Sequence, residues 1–222
     1  MPQQSKTFRI FVSSTFTDMR EERRILQQEI FPKLEKLCES NGARFQAVDL
    51  RWGVNEASQL DHKTIDICLG EIFRCQRLSP KPNFIALIGD RYGWQPVPAK
   101  IPENEMIEIN ILLSDEDRQL MEQWYLEDEN AIPAEYVLQP RGEKYKEHRE
   151  WEQVETKIRK ILRESASGLA FTPEQKVKYF ASATHLEIIS GALNPPVSVK
   201  EPEEHVFAYV RKINNLEILL FY

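Results

Sequence analysis

The chain has little of what marks out several common chemistries. It carries only three cysteines, Cys38, Cys68 and Cys75, and no secretory segment at its N-terminus, which fits a reducing compartment better than a disulfide framework. Its four histidines, His62, His148, His185 and His205, are scattered without metal-ligand spacing, so metal chemistry is set aside. No apolar run approaches the length of about 18 residues that a membrane span needs. A net charge of −6 gives no general basic field for phosphate backbones and argues against a nucleic-acid binder, a local basic patch excepted. With 41% hydrophobic and 29% charged residues over 222 positions, the chain is neither disordered nor fibrous. Its length suits one domain, or one domain with a large insertion.

What is present alternates between strand and helix periods. Phe8 to Val12 reads as a buried strand, and Asp18-Met-Arg-Glu21 has the form of a capping box opening a helix. That helix carries its apolar stripe through Ile25, Leu26, Ile30, Leu34, Leu37 and Cys38, with a kink expected at Pro32 and a stop at Asn41-Gly42. Ala43 to Leu50 alternates as a second strand. A helix over about Thr64 to Leu78 places Cys68 and Cys75 on its apolar side, where both read as small core residues. Phe84 to Ile88 is apolar on both faces, as a parallel strand covered on either side would be. This order predicts an α/β domain with right-handed crossovers.

From Gln95 to about His148 five prolines break the rhythm, and only Asp115 to Leu126, after Ser114, reads as a helix, so this stretch is expected to be an insertion. Trp151, Val154, Ile158, Ile161 and Leu162 then share one helix face. Thr172-Pro-Glu-Gln175 is a capping box with proline at the first helical position. Ser182 to Gly191 reads as helix and His205 to Arg211 as strand. The ending, Leu219-Leu-Phe-Tyr222, has the look of a domain cut from a longer chain.

Each of the first three strands runs out into a polar or aromatic cluster: Ser13-Ser14-Thr15-Phe16, Asp49-Leu-Arg51-Trp52, and Asp90-Arg91-Tyr92-Gly93-Trp94. In open parallel sheets ligands collect beyond the carboxyl ends of the strands, where the strand order reverses. Arginines that grip phosphate, hydroxyls and rings that stack suit a ligand with phosphates and flat heterocycles. Taken singly, each residue is better read as a helix cap, a plug of the sheet end or an ion-pair partner. Three clusters at three strand ends favour a site.

The stretches FRIFVSSTFTDMREER, VDLRWGV, CLGEI, IGDRYGW, AEYVLQPR and SATHLEI, in this order over residues 7 to 211, resemble the N-terminal domain of NACHT-containing STAND proteins. That group includes the telomerase-associated protein and the nephrocystins and has bacterial relatives. The resemblance implies a flavodoxin-like, TIR-like parallel sheet with helices on both faces. No glycine-rich phosphate loop ending in lysine occurs here, so the ATPase of such a protein is expected beyond Tyr222.

In TIR-type NAD glycohydrolases a glutamate on a late helix faces the crevice. The short relatives carry Ser-x-Thr-x-x-Glu there, which maps onto Ser182, Thr184 and Glu187. The resemblance thus implies a cytoplasmic immune effector that cleaves NAD+ when its sensor self-associates, with Glu187 as catalyst and NAD+ as substrate rather than cofactor. The chemistry passes through an oxocarbenium-like transition state, as in glycoside hydrolysis. His185 stands where the commoner pattern has an acidic residue. Against a catalytic Glu187, Thr184-x-x-Glu187 is itself a capping box; a cap at Ser182 would leave the glutamate free for ligand. Glu71 and Glu56 are rival carboxylates. A purely self-associating adaptor, or a nucleoside or nucleotide transferase or hydrolase, are the other function classes compatible with these residues.

Overall fold

A computed structural model describes residues 6–50, 62–145 and 148–212. In chain order, β1 is Thr7–Ser14, and α1 consists of abutting pieces Arg20–Ile25, a π-helical turn Leu26–Ile30, and Phe31–Ser40. β2 is Arg44–Val48, α2 Thr64–Leu78 and β3 Phe84–Ile88. Next come β4 Lys100–Pro102, α3 Glu103–Leu112, α4 Asp115–Trp124, β5 Tyr125–Asp128, β6 Glu135–Leu138, α5 His148–Gly168 and α6 Pro173–Phe180. Then follow α7, Ala183–Ile188, which continues into a π-helical turn Ile189–Leu193, and β7, Val206–Val210. The described residues fall into two compact units, one of 6–50, 66–94 and 183–212, the other of 62–65, 95–145 and 148–182.

In the first unit four parallel strands pair in the order β2-β1-β3-β7. Successive side chains point to opposite faces, and here both faces are apolar. Phe11, Phe84 and Ala86 pack with Cys68, Ile72 and Cys75 of α2 and with Ile188 of α7. Val12, Ile85 and Leu87 pack with Leu26, Phe31 and Leu34 of α1. The unit is therefore an α/β sandwich of the flavodoxin-like class, and its strand order reverses between β1 and β3. A Cβ at Gly191 would lie 2.4 to 2.7 Å from the ring of Phe84, so only glycine lets this turn rest on the sheet. Gly191→Ala is expected to lower unfolding stability by about 1–3 kcal/mol, the usual cost of overpacking, read from urea denaturation.

The local signals have identifiable outcomes. The irregularity of α1 is the π-turn preceding Pro32, because proline supplies no N–H and its ring displaces the preceding turn. Gly42 sits at φ +67° and ends the helix as expected, with Ala43 N–H donating to Cys38 O at 2.8 Å. The capping box expected at Asp18 does not form. The helix begins at Arg20 without a side-chain cap, because the Asp18 carboxylate is drawn instead to Thr15 and to the backbone of Arg91.

The second unit has its own antiparallel sheet, β4-β6-β5, and its own core around Ile101, Ile109, Trp124, Trp151, Ile158 and Leu162. The buried carboxylate of Glu105 accepts from Tyr179 Oη at 2.6 Å and Lys178 Nζ at 2.7 Å. Thr172 and Gln175 form the expected capping box of α6. The expected insertion stopped at about residue 148. This compact unit instead extends through α5 and α6 to Ser182, since α5 contributes its apolar face to the same core. Among the described residues no helix is long and apolar enough to cross a membrane.

Candidate active site

β1 ends by burying three hydroxyls, and each has a partner in the first unit. Ser13 Oγ, with no exposed surface, donates to Glu187 Oε2 at 2.6 Å. Ser14 Oγ donates to Thr15 O at 2.9 Å and accepts from Arg23 Nε at 2.5 Å. Thr15 Oγ1 donates to Asp18. The hydroxyls that the sequence offers as ligand contacts are therefore buried and engaged by partners within the first unit.

Arg23, on the first turn of α1, ties the ends of β1 and β2 together. It forms a buried ion pair with Asp49, just past β2, and donates to the carbonyls of Val12 and Ser14 at 3.3 Å. Its guanidinium also lies 5.2 Å from the centroid of Phe16. Such a buried pair is stable only when its remaining donors are satisfied, as they are here by Ser14 and the two carbonyls. One signal for Arg23 existed in the sequence: an arginine where the helix stripe expects an apolar residue.

The exit of β3 closes onto the same place. Gly93 has φ +89°, and a Cβ on it would lie 2.8 Å from Thr15 Cγ2, with Thr184 Oγ1 3.7 Å away. Glycine here lets the loop approach the end of β1. Tyr92 Oη is 2.7 Å from His185 Nδ1, and the two rings meet edge-on at 5.8 Å. Ala183 N–H donates to Trp94 O at 2.9 Å. Phe16, Tyr92 and Trp94 remain 53, 51 and 50% exposed, so their rings stay available to a ligand. Arg91 is exposed, and its backbone N–H donates to Asp18 Oδ2 at 3.4 Å.

α7 begins at Ala183, which puts Ser182 at the cap position and Thr184 inside the first turn. Glu187 is then one turn further on, and its carboxyl accepts from Ser13. Glu187 as a residue keeps partial exposure, whereas its carboxyl is enclosed. Burial pushes its pKa from 4.5 up to about 7; hydrogen bonds from Ser13 and the Cys68 thiol and the charge of Arg23 pull down, and Asp49 pushes up. Burial and the neighbouring Glu187 push the Cys68 thiol well above its ordinary value, so it stays protonated. Cys68, like Cys75, is buried in the core on the inner face of α2, as its helix position implied.

The other candidates are distributed as follows. Glu71 is held by Arg9 at 2.7 Å and Arg74 at 2.5 Å, an ion-pair role on α2. Ser182 is buried as the last residue of the second unit. Arg51, Trp52 and Glu56 lie outside the described residues. Among the described residues no cluster of three or more His, Cys, Asp or Glu is placed to hold a metal ion.

Fold and site together define a flavodoxin-like α/β domain with an enclosed carboxylate where its strand order reverses. Residues 9–163 match the family model described as "Domain of unknown function (DUF4062)", and the chain belongs to that family. Glu187 lies beyond the matched span. Among known proteins the chain is similar to mouse "NACHT domain- and WD repeat-containing protein 1", with 40% identity over 56% of this chain and 8% of that protein. Human "NACHT and WD repeat domain-containing protein 2" is 28% identical over 96% of this chain and 13% of its own length. Rat "Telomerase protein component 1" is 32% identical over 45% of this chain and 4% of its length. The chain therefore spans between 4 and 13% of the length of these relatives, and the matches agree with its resemblance to the N-terminal domain of NACHT-type proteins. No solved structure matches the chain.

Proposed function

We propose that this domain is the effector module of a NACHT-type sensor and that it hydrolyses NAD+ to nicotinamide and ADP-ribose, working in the cytoplasm when copies are brought together. The observation that carries the reading is the Glu187 carboxyl, enclosed beside the ends of β1 and β3 and fixed by Ser13. In the proposed reaction the bond between ribose C1′ and the nicotinamide nitrogen breaks and its electron pair leaves with nicotinamide, which departs neutral. Positive charge develops on C1′ and the ring oxygen, and the Glu187 carboxylate opposes it from a low-dielectric wall. Water then adds to C1′ and releases one proton to solvent. No strong acid is required, because the leaving group is already cationic in the substrate. The exposed faces of Phe16, Tyr92 and Trp94 offer stacking for the two heterocycles, and Arg91 offers charge for the diphosphate.

The test is incubation of the chain, free and artificially clustered, with NAD+ and separately with nucleosides, following release of the free base. Nicotinamide release from clustered protein alone supports the reading. Base release from nucleosides only would move the assignment to a nucleoside hydrolase or transferase, and silence toward both when clustered would leave a self-association module. Tyr92→Ala is expected to raise KM for NAD+ about tenfold with a smaller change in kcat, since a lost ring face costs ground and transition states alike. Initial-rate kinetics over a range of NAD+ concentrations reads this directly.

A further inference from the structure

We propose that Asp18 is a positioning residue: paired with Thr15, its carboxylate forms the seat on which the loop after β3 rests, and so fixes where Arg91 and Tyr92 stand beside the end of β1. The proposal deepens the reading above and rests on it only for what those side chains bind, not for how they are held. The sequence offers Asp18 as a helix cap, yet the helix begins without it and the carboxylate turns elsewhere. Its Oδ1 accepts from the Thr15 hydroxyl. Its Oδ2 accepts from the Arg91 backbone N–H at 3.4 Å and lies 3.7 Å from Arg211 Nη2, just past β7. One carboxylate thus joins the exits of β1, β3 and β7, using the acceptor sites of both oxygens and its charge.

Two glycines show how closely the loop sits on this pair. A Cβ at Gly89 would collide with Asp18 Oδ2 and lie 3.4 Å from Arg211 Nη2, and one at Gly93 would lie 2.8 Å from Thr15 Cγ2. The loop therefore meets the seat at both of its ends, with Arg91 and Tyr92 between them. The bond from Thr15 to Asp18 also closes the turn that carries Phe16. Arg211 has a second partner in Glu22 Oε1 at 2.8 Å, so loss of Asp18 leaves the arginine paired. A carboxylate that only stabilised the fold would change how much protein is folded and leave the folded fraction's affinity alone. A carboxylate that seats the loop predicts an effect on affinity that shrinks once Tyr92 is gone.

The experiment has two arms, both on the whole 222-residue chain. The first is amide hydrogen exchange of the nitrogen-15-labelled protein, with Ala86 inside β3 as the reference for the sheet. Exchange at the Arg91 N–H is expected to quicken roughly threefold to tenfold in Asp18→Ala, the worth of one net hydrogen bond, and to change less than about twofold in Asp18→Asn, which still accepts. The second arm is initial-rate kinetics of the clustered chain with NAD+. Asp18→Ala is expected to raise KM by about five- to tenfold with a smaller change in kcat, and Asp18→Asn to restore most of it. Made in a Tyr92→Ala chain, the same Asp18→Ala change is expected to raise KM less than about twofold further, because both act through one contact. Gly89→Ala displaces the carboxylate from the β3 side and is read in the same way if the Asp18→Ala chain does not fold. An Arg91 amide that keeps its original rate, or full additivity with Tyr92→Ala, overturns the proposal. Quicker exchange at Arg91 in a protein that cleaves no NAD+ in any form keeps the seat and removes the substrate reading. Cleavage of NAD+ with unmoved exchange does the opposite.

Discussion

Glu187→Gln is expected to fold and to lose NAD+ cleavage by at least about 10²–10³-fold, the usual cost of removing one preorganised electrostatic group from a transition state. Glutamine keeps the shape of the side chain and can still accept from Ser13, so the loss would report charge rather than packing. The measurement is nicotinamide release by the clustered chain, with thermal unfolding of the variant to show that it is folded. Turnover that survived the change would assign the chemistry to another carboxylate, Glu56 or Glu71. The same argument fixes the pH dependence. Only the ionised carboxyl can oppose positive charge, and burial holds it neutral up to about 7, so activity is expected to rise with pH through that value and then level.

The same substitution is expected to stabilise the fold at alkaline pH. In the folded chain Glu187 binds its proton up to about 7, whereas in the unfolded chain it releases it near 4.5. Below 4.5 both states are protonated and the carboxyl costs nothing. Between 4.5 and about 7 the folded state holds more protons than the unfolded one, so stability falls as pH rises. At about 1.4 kcal/mol per unit, the loss approaches about 3 kcal/mol above pH 7. Glu187→Gln has no proton to lose. Urea denaturation should find the two chains about equally stable at pH 4 and the variant the more stable, by an amount of that order, at pH 8. An equal gap at both pH values would mean that the carboxyl is not enclosed. Lost stability is the expected cost of a carboxylate kept out of water.

Much of the first unit was legible, because its signals are local. Phe84 to Ile88 is apolar on both faces and forms a strand with those limits, and the helix read over Thr64 to Leu78 has those ends. α3 and the small antiparallel sheet were not legible. In α3 the apolar residues Met106, Ile107, Ile109 and Ile111 fall on both sides of the helix, so no stripe marks it. β5 follows Trp124 without a turn residue and continues what reads as helix. The contacts of the candidate residues were less legible than the elements that carry them. The strand-end hydroxyls were visible as a local cluster, yet the partner of Ser13 depends on a contact across many residues, with Glu187, 174 positions away. The cap at Ser182 could not be chosen over Thr184 from spacing, since both obey the same local rule. The partners of Arg23 were not legible, because a helix stripe records which side is inward and not what waits there.

The hydrogen bond from Ala183 to Trp94 joins the residue where the chain leaves the first unit to the residue where it returns. The detour between them, Gln95 to Ser182, thus begins and ends at one doorway. Insertions that depart and come back at neighbouring points can lengthen, shrink or be exchanged with little strain on the host. Here the chain re-enters the first unit at the start of α7, so the detour is free to change in length while the helix that carries Glu187 stays tied to Trp94.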